Sequence, residues 1–455
     1  MKLNKLLSIG ILLVLLIIFY FEGQMTGFMD SSLKARPDFH VVKIFITICS
    51  LFIGAFLSLY LAKEIKLPSF VVAIIIGILA KPLFLPIIAN NDTLAVIISL
   101  GASLILFGGG LETEFGNFKK TFWKIFFLAF PGVLLTAILL TNTIQVVSIG
   151  LGYKISITAA VLLGALLSST DPAAIIPVLK GLRFKNVLTK DIVVSESAMN
   201  DVTGSLLTLV FLSIALTLKT DMGLGEWYSK LFSAEGGIIL FEQIAFGIIF
   251  GLLGTIALSF VKKIKSIHST EFVADMVVLL FVPIFVYTLS LYFEGSGFLA
   301  AFIAGLIFQM NENLKETELF FNNVVDGFCK PVIFILLGAL VNVGELMNYA
   351  VVGLIVSFIF MFILRPLMVF LMLGGFMYYG SNKFTVKELL FISFVRETGA
   401  IPAVLLVSVS TMGIAGLDGL VSIGMWVILS TLVVQPLLTP WVAKKLKVAE
   451  PINRF

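Results

Sequence analysis

The chain has 455 residues, of which 59% are hydrophobic and 13% charged, and its mean hydropathy is +1.10. Soluble domains carry about a quarter charged residues, so this composition excludes a soluble globular protein and describes a polytopic integral membrane protein. The net charge of +4 does not point to nucleic acid, because the lysines gather in short loops between apolar runs. The only cysteines, Cys49 and Cys329, lie in apolar segments without a disulfide or metal-ligand spacing. The only histidines, His40 and His268, fall in expected loops, which leaves no histidine metal site.

A helix needs about 20 apolar residues to cross the hydrocarbon core. Apolar runs separated by polar breaks predict about 14 spans, at 5–21, 41–61, 68–88, 93–111, 122–141, 155–179, 191–218, 237–261, 272–292, 296–310, 324–343, 349–379, 386–410 and 418–441. Short connections and frequent glycines favour a helical bundle over a barrel, whose strands would alternate in polarity. With Met1 on the cytoplasmic side, most Lys and Arg fall in cytoplasmic loops, among them Lys63, Lys66, Lys119, Lys120, Lys180, Arg183, Lys185 and Lys190. The opposite side holds only Lys34, Arg36, Lys43, Lys154, Lys219 and Lys230. This asymmetry predicts both termini in the cytoplasm and placement in the cell membrane.

The first span has a basic start like a signal peptide, but no small-x-small cleavage site follows Phe19-Tyr20-Phe21-Glu22. It reads as a retained helix. Lys81, flanked by Pro82 and Pro86, can snorkel from the outer third of its span. Gly108-Gly109-Gly110 reads as close helix packing, since no Walker lysine or hydroxyl follows.

Span 155–179 contains Ser169-Thr170-Asp171-Pro172, with Pro177 beyond. Proline removes a backbone donor and disfavours helical angles in the preceding residue, so the helix is expected to break at Thr170-Asp171. A proline kink is common in membrane helices, but here it carries an acid. A charge at the bilayer centre costs about 2.5–3.5 kcal/mol on insertion scales, which makes a functional role the better reading.

Span 191–218 brings Glu196-Ser197-Ala198-Met199-Asn200-Asp201. Glu196 and Asn200 are four apart, as are Ser197, Asp201 and Ser205, so two acids, an amide and two hydroxyls share one stripe. Asp201 lies roughly 15 Å inside the span at 1.5 Å per residue. Glu196 is closer to the membrane edge. Two arginines are also mid-span, Arg365 before Pro366, and Arg396 in Val395-Arg396-Glu397-Thr398-Gly399-Ala400-Ile401-Pro402. A buried arginine keeps its charge and needs a partner, and Glu196 is the natural partner for one of them. Gly399 and Pro402 suggest a second broken helix.

The two expected breaks fall in the sixth and thirteenth spans, an odd separation that inverts one unit relative to the other. The chain then divides into 1–40, an N-terminal helix and external loop; 41–218, a first six-helix unit; 219–271, a linker helix; 272–441, a second unit; and 442–455, a short tail. Inverted units with paired discontinuous helices are the plan of secondary transporters.

These residues resemble the sodium/proton exchanger branch of the monovalent cation–proton antiporters, the NhaP-type proteins of prokaryotes and their animal relatives. The likeness runs over nearly the whole chain from about residue 41. It rests on Thr170-Asp171-Pro172 in an unwound helix, Glu196-Ser197-x-x-Asn200-Asp201 downstream of it, and Arg365-Pro366. The resemblance implies that Asp201 is the cation- and proton-binding carboxylate and that Asp171, Thr170 and Ser197 complete a Na+ site. It also implies that Glu196 and Arg365 form a structural ion pair. Asn200-Asp201 resembles the electroneutral branch, which implies one cation exchanged for one proton, and a homodimer is the assembly the family suggests. The chain departs from the usual Gly-Arg-Gly-like element at Arg396, which is offset by one or two positions. Glu397 is an added acid that either neutralises Arg396 or alters coupling.

The chemistry is consistent with that expectation. Desolvation favours the neutral form of a carboxylate, so one buried acid can hold either a proton or a cation, and competition for it couples the two fluxes. No cofactor and no enzymatic reaction are expected. Li+ and K+ are alternatives to Na+, and other ion-coupled transport shares the same plan. A channel would show repeated filter sequences, and an intramembrane aspartyl protease would carry Gly-x-Gly-Asp; neither is present. The absence of a further domain after residue 441 argues against nucleotide-regulated potassium efflux systems.

Overall fold

Apolar runs become helices here because a membrane leaves no water to satisfy backbone amides and carbonyls. The computed structural model describes residues 39–113, 115–170, 178–179, 181–217, 222–268, 272–308, 315–378 and 383–451. The expected first span, Asp171 and Pro172 lie outside the described residues.

In chain order the helices begin with α1 (Phe39–Ile65), α2 (Ser69–Leu79), α3 (Lys81–Ile88) and α4 (Asn91–Glu112). Next come α5 (Phe115–Phe127), a π turn at Leu128–Gly132 around Pro131, and α6 (Val133–Gly150). α7 (Ile157–Ser168) leads through strand β1 (Leu182–Phe184) into α8 (Val187–Thr217). A short α9 (Leu224–Leu231) and the long α10 (Ala234–His268) precede α11 (Phe272–Tyr292) and α12 (Gly297–Ile307). α13 (Lys315–Val324) runs through a π turn at Val325–Cys329 into α14 (Lys330–Leu340), and α15 (Val343–Asn348) follows. α16 (Ala350–Ile359) passes through a third π turn, Phe360–Leu364, into α17 (Arg365–Leu373). The chain closes with α18 (Val386–Phe394), α19 (Ala400–Thr411), α20 (Leu420–Lys445) and strand β2 (Ala449–Pro451).

Helix starts follow local chemistry. The side chains of Asn90, Ser156 and Ser296 accept the first free amides of α4, α7 and α12, and Thr385 with Glu388 forms a capping box on α18. Eight helical stretches among the described residues are long and apolar enough to cross a membrane, so the chain is a polytopic, mostly helical membrane protein. The expected straight span at 68–88 is instead α2 and α3, bent by 86° at Ala80. Pro82 supplies the reason, because it cannot donate to the preceding turn and sits where a helix begins rather than continues. Lys81 does not simply snorkel: its Nζ donates to the Val341 carbonyl at 3.0 Å, capping the C-terminal end of α14.

Two close helix crossings organise the bundle. α2 crosses α14, where a Cβ on Gly77 would collide with the Ile335 carbonyl and one on Gly338 with the Ile74 carbonyl. α4 crosses α12 in the same manner, Gly110 against Phe302 and Gly305 against Phe107. The triple glycine therefore does serve close packing. α8 is the central helix, 72% buried over its most apolar window, against 28% for the lipid-facing α10. β1 and β2 pair antiparallel, Leu182 opposite Pro451, which ties the loop before α8 to the segment after α20.

Candidate functional site

The site begins where α7 stops. Ser168 is its last helical residue, and Ser169 turns extended at φ −69° and ψ 140°. Extended backbone in a bundle interior needs partners from side chains, and α8 provides them. Ser197 Oγ donates to the Thr170 carbonyl at 2.7 Å, and Asn200 Nδ2 donates to Thr170 Oγ1 at 3.1 Å. Ser169 Oγ donates to Asp201 Oδ1 at 2.5 Å. The break thus lies directly against the polar stripe of α8, with Ser169, Thr170, Glu196, Ser197, Asn200 and Asp201 all buried.

The approach is close because α8 has a glycine at the contact. A Cβ on Gly204 would sit 2.6 Å from Ser169 Cβ. Ser169 and Gly204 are the two site residues not singled out from sequence. The only signals for them were adjacency to Thr170 and the three-residue offset from Asp201.

A second break faces the first. α18 ends at Phe394, and residues 395–399 are non-helical before α19 starts at Ala400. Here α20 satisfies the freed backbone: Gln435 Nε2 donates to the Phe394 carbonyl at 3.0 Å, and the Thr398 amide donates to Thr431 Oγ1 at 3.1 Å. Arg396 and Glu397 are both fully buried in this segment. Glu397 does not line the cavity that reaches Asp201.

The expected pairing of Glu196 with Arg365 is corrected. Glu196 Oε2 is ion-paired with Arg396 Nη1, and its Oε1 accepts from Asn200 Nδ2 at 2.6 Å. Arg365 Nη2 instead donates to Thr170 Oγ1 at 3.4 Å. The cause is local geometry. Arg396 lies on non-helical backbone past the end of α18, its amide turned back onto the Phe394 carbonyl, and its side chain meets Glu196. Arg365 follows a π turn, which re-aims it toward the first break. Asn200 bridges the two groups, touching both Glu196 and Thr170.

Asp201 is accessible. It lines a cavity of about 40 Å³ with Ser197, Gly109, Asn322, Asp326 and Lys330. Glu112, Val194 and Asn322 are shared with a wider vestibule of about 350 Å³ that also meets Asp191, Lys190 and Glu318. A cavity of this size lined by polar groups is roomy enough for water, and the shared lining places the two spaces side by side. The Asp201 carboxylate and the Ser197 residue that line the smaller cavity are in turn hydrogen-bonded to Ser169 and Thr170 of the first break.

A buried carboxylate against an interrupted helix, at the end of a cavity in a bundle of apolar helices, is the site plan of a secondary transporter. The model of the sodium/hydrogen exchanger transmembrane family matches residues 48–445, and the chain belongs to that family. It is similar to a K(+)/H(+) antiporter NhaP of Alkalimonas amylolytica, 31% identical over 363 residues, covering 78% of this chain and 58% of that protein. The chain therefore spans less than two thirds of that relative's length. It is also 27% identical over 365 residues to Na(+)/H(+) antiporter 1 of Methanocaldococcus jannaschii, covering 77% of this chain and 79% of that protein. The structure of the sodium proton antiporter MjNhaP1 from the same organism shares the fold, with a TM-score of 0.65 at 24% identity over 89% of this chain and 99% of that one.

Proposed function

We propose that this protein is a secondary active transporter that exchanges a monovalent cation for H+ through competition of the two at Asp201. The observation that carries the proposal is the contact of Ser169 Oγ with Asp201 Oδ1, which joins a broken helix to a carboxylate at the end of a cavity. A dehydrated alkali cation takes several oxygen ligands. Asp201, Ser169, Ser197 and the Thr170 oxygens supply them, with Asp171 completing the set. Protonating Asp201 removes its charge and releases the cation. The empty anionic site crosses the apolar barrier poorly, which couples the fluxes.

One cation for one proton carries no net charge, in keeping with neutral Asn200 beside Asp201. The transported cation is Na+ in this reading. The names of the relatives support K+ as well, since both a K(+)/H(+) and a Na(+)/H(+) antiporter are similar to this chain.

The architecture proposed for this cycle is about 14 spans in two inverted six-helix units, 41–218 and 272–441, with both ends cytoplasmic. Exchanging the units maps the α2–α14 crossing onto the α4–α12 crossing, because each joins a second element to a third. The fourth element of each unit carries a π turn and the fifth is interrupted, which further supports the repeat. Movement of one group of helices against the other would then alternate access to the site. A homodimer in the cell membrane is the assembly this reading adopts.

The test is reconstitution into proteoliposomes with an imposed pH gradient. Addition of Na+, Li+ or K+ should dissipate it, with rates that ignore an imposed membrane potential. Absence of proton flux with all three cations overturns the exchange reading, and a clear voltage dependence overturns the one-to-one stoichiometry.

A further inference from the structure

Lys330 is a cation built into the wall of the pathway. It is the first residue of α14, directly after the π turn Val325–Cys329, and lines the same 40 Å³ cavity as Asp201. Its side chain is 11% exposed and its Nζ lies 2.8 Å from Asp326 Oδ1. Asp326 belongs to the π turn, lines the same cavity and is 58% exposed. α4 packs against both this π turn and α8, and the cavity opens between them. An ammonium and the proposed transport carboxylate thus share a small, poorly solvated space.

Low-dielectric walls focus the field of charges in a cleft and set the local concentration of ions there. The vestibule carries Glu112, Asp191 and Glu318 against Lys190, an excess of acids that favours cations, while Lys330 opposes their last step. Asp326 neutralises it in part through the ion pair. A transported cation and a proton each bring a positive charge to Asp201 against that residual repulsion, and the half-saturating cation concentration reads it where Asp201 is already deprotonated.

We infer that Lys330, held by Asp326, is an affinity-setting residue that raises the cation concentration at which exchange half-saturates. This rests on the exchange reading above. Removing the ammonium favours cation occupancy without touching the oxygen ligands. Removing its counter-charge does the opposite. The sign reversal between the two variants separates an electrostatic role from a merely structural one, since loss of packing would impair both.

Initial rates of cation-driven proton flux in proteoliposomes at low ionic strength provide the test, with the cation varied for wild type, Lys330→Gln, Lys330→Arg and Asp326→Asn. Lys330→Gln should lower the apparent KM by about three- to ten-fold, with a maximal rate within about two-fold of wild type. Lys330→Arg should restore the wild-type KM, and Asp326→Asn should raise it. Adding choline chloride should shrink these differences by screening. Should Lys330→Gln fail to insert, Lys330→Met takes its place, and cation-dependent thermal stabilisation in detergent gives the same ordering of affinities. An unchanged KM in Lys330→Gln (or in Lys330→Met where that replaces it), or movement of KM in the same direction in Lys330→Gln and Asp326→Asn, overturns the inference while leaving exchange intact. Absence of flux in wild type overturns the exchange reading, and this inference with it.

Discussion

Glu196 on α8 and Arg396 in the second helix break form an ion pair whose side chains are each only 1% exposed. The pair joins the two interrupted regions of the chain, because Asn200 links the same carboxylate to Thr170 in the first break. A buried pair gains little net stability over an apolar one, but removing one partner strands a charge at a cost of about 3–5 kcal/mol.

Arg396→Ala should therefore lower the yield and the melting temperature in detergent sharply, and Glu196→Gln together with Arg396→Gln should recover much of the loss. Arg365→Ala should be milder, since among the described residues its guanidinium meets the neutral hydroxyl of Thr170. A melting temperature lower for Arg365→Ala than for Arg396→Ala would place the structural pair at Arg365 instead.

Asp201→Asn should abolish cation-dependent proton flux while leaving the melting temperature within a few degrees of wild type. The asparagine keeps an oxygen for the Ser169 hydroxyl and fills the same volume. Flux comparable to wild type in this variant would remove Asp201 from the exchange step.

Ser169 and Gly204 make a paired prediction. Ser169→Ala deletes a hydrogen bond to a charged group, worth about 1.5–3 kcal/mol, and should raise the apparent KM for the cation by about ten-fold or more. Gly204→Ala puts a methyl group 2.6 Å from Ser169 Cβ and should displace the break from α8, cutting the maximal rate. Gly237→Ala, with nothing within 4 Å of the new carbon, is the control and should leave flux unchanged.

The glycine crossings should govern stability rather than turnover. Gly77→Ala and Gly110→Ala each aim a methyl group at a backbone carbonyl of the neighbouring helix, which no rotamer can relieve. Overpacking of this kind costs about 1–3 kcal/mol, occasionally more. Thermal unfolding in detergent should rank both well below Gly237→Ala, and equal melting temperatures would argue that the crossings can open without loss.

Much of this organisation is legible in the sequence because lipid imposes strong local rules. Apolar length marks the helices, and acids and prolines inside them mark the exceptions. Ser197 and Asp201 share a stripe on α8, which is a one-dimensional pattern, Thr170 is marked by the proline break beside it, and their joint site is what the family resemblance implies. Asp171 is marked by the proline that follows it and lies outside the described residues. Contacts between distant segments are different in kind. Nothing in the local sequence distinguishes Arg365 from Arg396 as the partner of Glu196, because both are buried arginines next to a helix irregularity. The reach of Lys81 to Val341 likewise depends on where α14 ends.

By itself, then, the sequence determined that this is a bundle of apolar helices with a costly polar stripe around Asp201, because burial of charge and loss of backbone partners in lipid are penalties each segment carries alone. The tertiary structure decided which arginine meets Glu196, that Ser169 reaches Asp201 across Gly204, and that Lys330 shares the cavity with Asp201. Those are distances between segments far apart in the chain, set by how helices cross and where π turns re-aim a side chain.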